Sequence, residues 1–186
     1  MTEMAGGDTG GGAALERAQR DLLELIAEGA TPLDGVVAEV VRAAERLLPG
    51  ACAAGHVVAR GQLGRAAAPG LSRAYLDEIE RPESACAKAA AHGARSVVTE
   101  HDNDPDRARF LACAARFGVR ACWAEPVRDA EGHVAALLSF HLAEPRTPDA
   151  ADLRVVETMA RILRVAITGR RNAEKLRLPG AVAETT

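Results

Sequence analysis

Residues 118 to 146, GVRACWAEPVRDAEGHVAALLSFHLAEPR, decide how this chain folds. Two apolar runs, VRACWAEPVR and HVAALLSFHLAE, flank DAEG. Long apolar runs separated by a short loop that ends in glycine form a β-hairpin. Side chains alternate across a strand, so Arg120, Cys122, Ala124 and Pro126 should share one face. Ala121, Trp123, Glu125 and Val127 should share the other. Upstream, Asp104-Pro105 opens the helical run DRARFLACAARF, which Gly118 closes in the left-handed conformation. Downstream, Thr147-Pro148 caps a helix over about 149 to 175. Its two adjacent apolar stripes are Leu153, Val156, Ala160, Leu163, Ile167 and Val155, Met159, Ile162, Ala166. Stripes of that width predict packing on the sheet with one side and on a partner with the other.

The rest of the chain reads the same way. Residues 1 to 12, MTEMAGGDTGGG, are glycine-rich without apolar periodicity and are expected to be disordered. Leu15, Ala18, Leu22 and Leu25 predict a helix over 13 to 28. Thr31 as N-cap, with Pro32 at the first helical position, predicts a second helix to about Leu48. ACAAGHVVA and QLGRAAA predict two strands joined at Arg60-Gly61. Ser72 caps a short helix, ESACAKAAAHG forms another closed by Gly93, and RSVVTE is a short strand. The order ααββααβαββα argues an α+β fold with a mostly antiparallel sheet, as one domain over residues 13–175 and a flexible tail over 176–186.

Composition excludes several classes of function. The net charge is −3 with both signs mixed, which provides no electrostatic footprint for nucleic acid or an anionic membrane surface. No apolar run approaches the roughly 20 residues that span a bilayer. The N-terminus lacks the basic start and apolar stretch of a signal peptide, so the expected location is cytoplasmic. There Cys52, Cys86, Cys113 and Cys122 should be reduced. No two of them form C-x-x-C, and no two of the five histidines stand at i, i+3 or i, i+4, so no metal is expected. HDNDPDR is rich in oxygen donors but lacks the glycine and closing glutamate of a calcium loop; Asp104 as an N-cap explains it.

RAAAPGLSRAYLDEI, followed by HDNDPDRARFLACAARFGVRACWAEPVRDAEGHVAALLSFHLAEPRTPDAADLRVVE, resembles the GAF domains of bacterial sensor proteins, here in stand-alone form. The resemblance implies an antiparallel sheet of about six strands flanked by helices, with N- and C-terminal helices packed together and a small-ligand cavity over one face. It also implies no catalysis. The family's glycine-rich turn IGPGxGSCGTAA is replaced here by RPESACAKAA. Cys86 keeps the cysteine's place while both flanking glycines are gone, and the NKFDE signature of cyclic-nucleotide binders is absent.

The ligand-binding candidates follow from that resemblance. Leu71, Ser72, Glu83 and Ser84 stand at two helix starts, where free N–H groups and a partial positive charge suit a small anion such as nitrate. Tyr75, Cys86 and Trp123 are the expected lining. Trp123 has a second reading as a core anchor, with Glu125 paired to an arginine such as Arg120 or Arg128. His56 or His141 could hold haem, since some GAF domains bind it through histidine, and the sequence names no cofactor. A redox enzyme of the free methionine-R-sulfoxide reductase type, using Cys86, is the alternative function. The expected partners are a second copy of the chain and a separate signalling protein, such as a sensor kinase or transcription factor.

Overall fold

The structure is a computed structural model and describes residues 9–99 and 104–177. Five strands pair among the described residues in the order β2-β1-β5-β4-β3, every neighbour antiparallel. They are β1 (Ala51–Ala59), β2 (Gln62–Leu63), β3 (Ser96–Thr99), β4 (Ala121–Arg128) and β5 (Val134–Leu142). The helices are α1 (Thr9–Glu28), α2 (Leu33–Leu47), α3 (Arg73–Ile79), α4 (Ala85–His92), α5 (Pro105–Ala115) and α6 (Ala150–Arg177).

The hairpin read from residues 118 to 146 is the centre of the sheet. β4 and β5 pair from Ala121↔Leu142 to Arg128↔Val134. At the loop, the Asp129 carboxylate accepts the N–H groups of Glu131 and His133, and Gly132 takes a φ of 86°. Pro126 is tolerated within an inner strand because β3 ends its pairing at Ser96↔Ala124, before a ladder bond would be needed. Among the described residues the sheet has the five strands read along the chain, against the about six that the resemblance implies. QLGRAAA contributes only the short β2 and an isolated bridge, Gly55↔Ala67. The Ala66 N–H donates to Glu80 Oε1 at 3.1 Å, which takes that backbone away from a ladder.

Each sheet face carries its own core. On one face α1, α2 and α6 pack with Ala53, Ala121, Trp123, Leu138 and Phe140. On the other, Tyr75, Leu76, Ile79, Cys86, Ala89 and Ala114 from α3, α4 and α5 cover Ala54, Cys122, Ala124 and Leu137. Packing built on alanine and valine brings elements close. A Cβ on Gly55 would stand 2.5 Å from Val37 Cγ1, so glycine is what lets α2 lie on β1.

Local expectations are corrected at three helix starts. α1 begins at Thr9 rather than 13, so Gly10, Gly11 and Gly12 stand in its first turns, where an added Cβ would meet open space. α2 has Pro32 as its N-cap with no side-chain cap, and the Thr31 carbonyl instead accepts from Arg170 of α6. Asp149, not Thr147-Pro148, caps α6, with Oδ1 accepting from Ala151 N at 2.7 Å and Asp152 N at 2.8 Å. The Asp104 cap of α5 is present, while residues 100–103 lie outside the described residues, as do 1–8 and most of the expected tail. The stripes of α6 that the sequence leaves over for a partner are covered within the chain. Val155, Met159, Ile162, Leu163 and Ala166 are all buried under α1, α2 and the sheet.

Candidate functional site

A chamber of about 460 Å³ lies among α3, α4 and α5. Local capping chemistry fixes two of its walls. Ser72 accepts the Tyr75 N–H at 3.3 Å and sets the start of α3. Ser84 accepts the Ala87 N–H at 3.0 Å and donates its hydroxyl to Ile79 O at 2.6 Å, tying α4 to the end of α3. Glu78, Arg81, Glu83, Ser84, Lys88 and Asp106 supply polar wall, and Tyr75, Phe110 and Ala114 supply apolar wall. The charges are cross-linked. Lys88 donates to Asp106 at 2.5 Å, Arg109 lies 3.7 Å from the same carboxyl group, and Arg81 lies 3.3 Å from Glu78. Lys88 holds the Asp106 carboxyl below its ordinary range.

Tyr75 links the chamber to a buried polar cluster beneath it. Its hydroxyl is 2.9 Å from His141 Nδ1, and Ser139 Oγ is 2.9 Å from His141 Nε2. A neutral imidazole has one donor and one acceptor nitrogen, so both hydroxyls can be satisfied. Burial, with His56 as a second cause, pushes His141 down to about 3, so the ring is neutral near pH 7. Burial pushes the Tyr75 phenol up, and the Cys122 and Cys86 thiols are the next causes. Cys122 stands directly across from His141 in the β4–β5 register, and its Sγ is 3.9 Å from Cys86 Sγ at the start of α4. The Cys86 neighbour raises the Cys122 thiol well above its ordinary value, with burial adding to it. Cys86, Cys122 and His141 each offer a ligand atom, all within 4.8 Å of one another. His56, fully buried on the same sheet face, bonds Gly64 O at 3.0 Å through Nδ1, while its Nε2 has no partner.

The fold divides the residues singled out by sequence. Tyr75, Glu83 and Ser84 line the chamber, and Cys86 lies under it. Leu71 is half-buried against the same apolar cluster, and Ser72 is exposed as the α3 cap. The hydroxyls of Ser72 and Ser84 already occupy the two helix starts read as anion sites.

Trp123 is on the opposite face, as strand alternation requires of a neighbour of Cys122. Its Nε1 donates to Arg146 O at 3.0 Å, and the Arg146 guanidinium lies 4.8 Å from the ring centroid. Arg146 in turn makes a bidentate pair with Asp152 in the first turn of α6. RACWAEPV and AEPR therefore form a clamp between β4 and α6, and the core-anchor reading of Trp123 is the one the geometry supports. Glu125 pairs with Arg95, not with Arg120 or Arg128, and Arg95 reaches on to Glu157 of α6 at 2.9 Å.

Ser139 was not among the sequence candidates, His141 entered only as a haem ligand, and Cys122 only as a thiol expected to be reduced. A signal for them exists: Ser139 and His141 stand two apart in an otherwise apolar strand, so they share one face, and Cys122 belongs to the matching face of β4.

Two cores on opposite faces of one antiparallel sheet, with a chamber under three short helices, is an arrangement shared with known proteins. The GAF domain profile matches residues 30–168. This chain belongs to the GAF domain family. A methyl sulfide methyltransferase-associated sensor of Methanosarcina acetivorans is 30% identical over 166 residues, covering 86% of this chain and 16% of that protein. The GAF domain here thus spans about a sixth of the length of that curated relative. Among solved structures, free methionine-R-sulfoxide reductase from Neisseria meningitidis in complex with its substrate superposes with a TM-score of 0.66 at 19% identity, covering 93% of this chain and 98% of that one. The phycoerythrobilin-bound GAF domain of a cyanobacterial phytochrome has a TM-score of 0.64 at 15% identity, covering 88% and 99%. At such identities these structures establish the fold alone. Among the described residues of this GAF domain, no helix is long and apolar enough to cross a membrane.

Proposed function

We propose that this GAF domain is a sensory module that binds a small anion in the chamber among α3, α4 and α5, without chemistry on it. The chamber carries the reading: about 460 Å³ is within the range of small-molecule sites, and its wall mixes aromatic surface with ionic groups. Arg81, Lys88, Arg109 and Arg116 oppose Glu78, Glu83 and Asp106, four positive against three negative, an excess of one positive charge. An anion of nitrate or small-carboxylate size would take a cation over from its acidic partner. Loosening the Lys88–Asp106 bridge between α4 and α5 would then change how those helices sit on the sheet. The GAF sensor relative supports a sensory role. The signal would leave by contact with a separate protein in the cytoplasm, such as a sensor kinase or transcription factor. A homodimer through the outer sides of α1 and α6, where Leu23 and Val165 are exposed, completes the proposal, and light scattering at tens of micromolar tests it.

A thermal-shift screen with nitrate, nitrite, small carboxylates and haem tests the ligand. A compound at a hundredfold excess over its Kd adds about 2.7 kcal/mol of stability, which a melting curve reads directly. If no anion moves the melting temperature, the anion reading is wrong; if only haem does, and His56→Ala abolishes it, the ligand is haem.

The 3.9 Å approach of Cys86 and Cys122 favours a second reading as a sulfoxide reductase. Both thiols are almost completely buried, which keeps substrate from them and favours the binding module. Methionine-sulfoxide reduction that vanishes when all four cysteines are serine would reverse that order.

A further inference from the structure

We propose that Cys86, Cys122 and His141 bind a thiophilic divalent cation of the Zn²⁺ type beneath the ligand chamber. The three donors come from three elements: α4, β4 and β5. None is more than 2% exposed, and their ligand atoms all lie within 4.8 Å of one another. The Sγ–Sγ distance is 3.9 Å. Two thiolates at about 2.3 Å from a tetrahedral ion stand about 3.8 Å apart, so the sulfurs are already at the separation such an ion requires.

Charge favours a divalent ion over others. Two thiols and one neutral imidazole together carry no net charge. Binding a 2+ ion with release of one proton from each thiol leaves the site neutral again, with two Sγ–metal bonds replacing two S–H bonds. A buried site without net charge avoids the large cost of an isolated ion. A monovalent ion on two thiolates would leave a negative charge in the same apolar surroundings.

The surroundings of His141 suit a ligand. When one ring nitrogen binds a metal, the other donates its N–H to a hydrogen-bond acceptor, which fixes the ring. Here either nitrogen can play either part, because Tyr75 stands at Nδ1 and Ser139 at Nε2. A second observation points to a ligand on this sheet face. His56 is fully buried with Nε2 unpartnered, a polar atom that protein groups leave unsatisfied. Tyr75 joins the trio to the chamber, so metal occupancy and chamber occupancy share one side chain. The proposal stands whatever the chamber binds.

The test uses the full chain, reduced under anaerobic conditions and refolded with Co²⁺. The expected result is one ion per chain, with thiolate-to-cobalt charge transfer, the visible bands of tetrahedral Co²⁺, displacement by Zn²⁺ and two protons released per ion. Cys86→Ala and Cys122→Ala should lose the charge-transfer band, while Cys52→Ser and Cys113→Ser keep it. Loss of the hydroxyl at the ring nitrogen that does not bind the ion, tested in Ser139→Ala and Tyr75→Phe, should weaken affinity by about 10–100-fold in one of the two variants. Absence of thiolate charge transfer, or its survival in Cys86→Ala, overturns the proposal. Should the alanine variants fail to fold, X-ray absorption at the zinc edge of the unaltered protein decides. Two sulfur neighbours plus nitrogen support the site, and a shell of oxygen and nitrogen alone overturns it.

Discussion

Lowering the pH from 7 to 5 should weaken this domain through His141. The ring is buried between Tyr75 and Ser139 and titrates at about 3 when folded, against about 6.5 in an unfolded chain. Below about pH 6.5 the unfolded state therefore takes up a proton that the native state refuses. Stability contributed by the neutral ring is fully present above that value and declines as the pH falls toward 3, by about 1.4 kcal/mol per unit. Integrated from pH 7 to 5, the loss is about 2 kcal/mol, and it hardly changes for any folded value below about 4. His56 is shifted down by burial as well and adds to the loss in the same direction. Urea unfolding followed by fluorescence of the buried Trp123 reads the effect. With a slope of about 2 kcal/mol per molar, the midpoint should fall by about 1 M more in the unaltered protein than in His141→Gln. Comparing slopes against pH removes whatever the glutamine costs by itself. Parallel pH dependences in the two proteins would refute the buried, neutral His141.

Two substitutions test the scaffold around the site. Ser84→Ala removes both the α4 cap and the bond to Ile79 O, and should cost about 2 kcal/mol in the same unfolding assay; a cost under about 0.5 kcal/mol would mean the hydroxyl does not join α3 to α4. Trp123→Phe should lose about 1 kcal/mol with the Nε1 bond to Arg146 O, and Trp123→Ala about 3–5 kcal/mol with the whole ring, both read by circular dichroism because the fluorophore is gone. Equal stability of the phenylalanine variant and the unaltered protein would rule out the clamp.

The fold was largely legible because its signals are local. Alternation in residues 118 to 146 and the turn residues Asp129 and Gly132 specify the central hairpin without reference to anything distant. Ser72, Ser84 and Asp104 likewise announce the starts of α3, α4 and α5. The site was less legible because it is assembled across the chain. Cys86 and Cys122 lie 36 positions apart, and Tyr75 and His141 lie 66 apart. No spacing rule brings them together; the β4–β5 register and the seating of α4 do. Trp123 shows the reverse case. Its rarity suggested a ligand wall, yet alternation alone placed it on the face away from Cys122, and that face is the α1, α2 and α6 core. The wide apolar surface of α6 is legible only in part: periodicity reports that a face is buried, not which element covers it. Here α1 and α2 of the same chain do.

Chemical-shift mapping tests the central claim most directly. The isotope-labelled chain would be titrated with the anion that raises the melting temperature most. The account predicts shifts concentrated at residues 75–88 of α3 and α4 and 106–116 of α5, with His141 responding through Tyr75. Shifts confined to α1, α2 and α6, or the absence of any saturable shift, would contradict a ligand chamber on this face of the sheet.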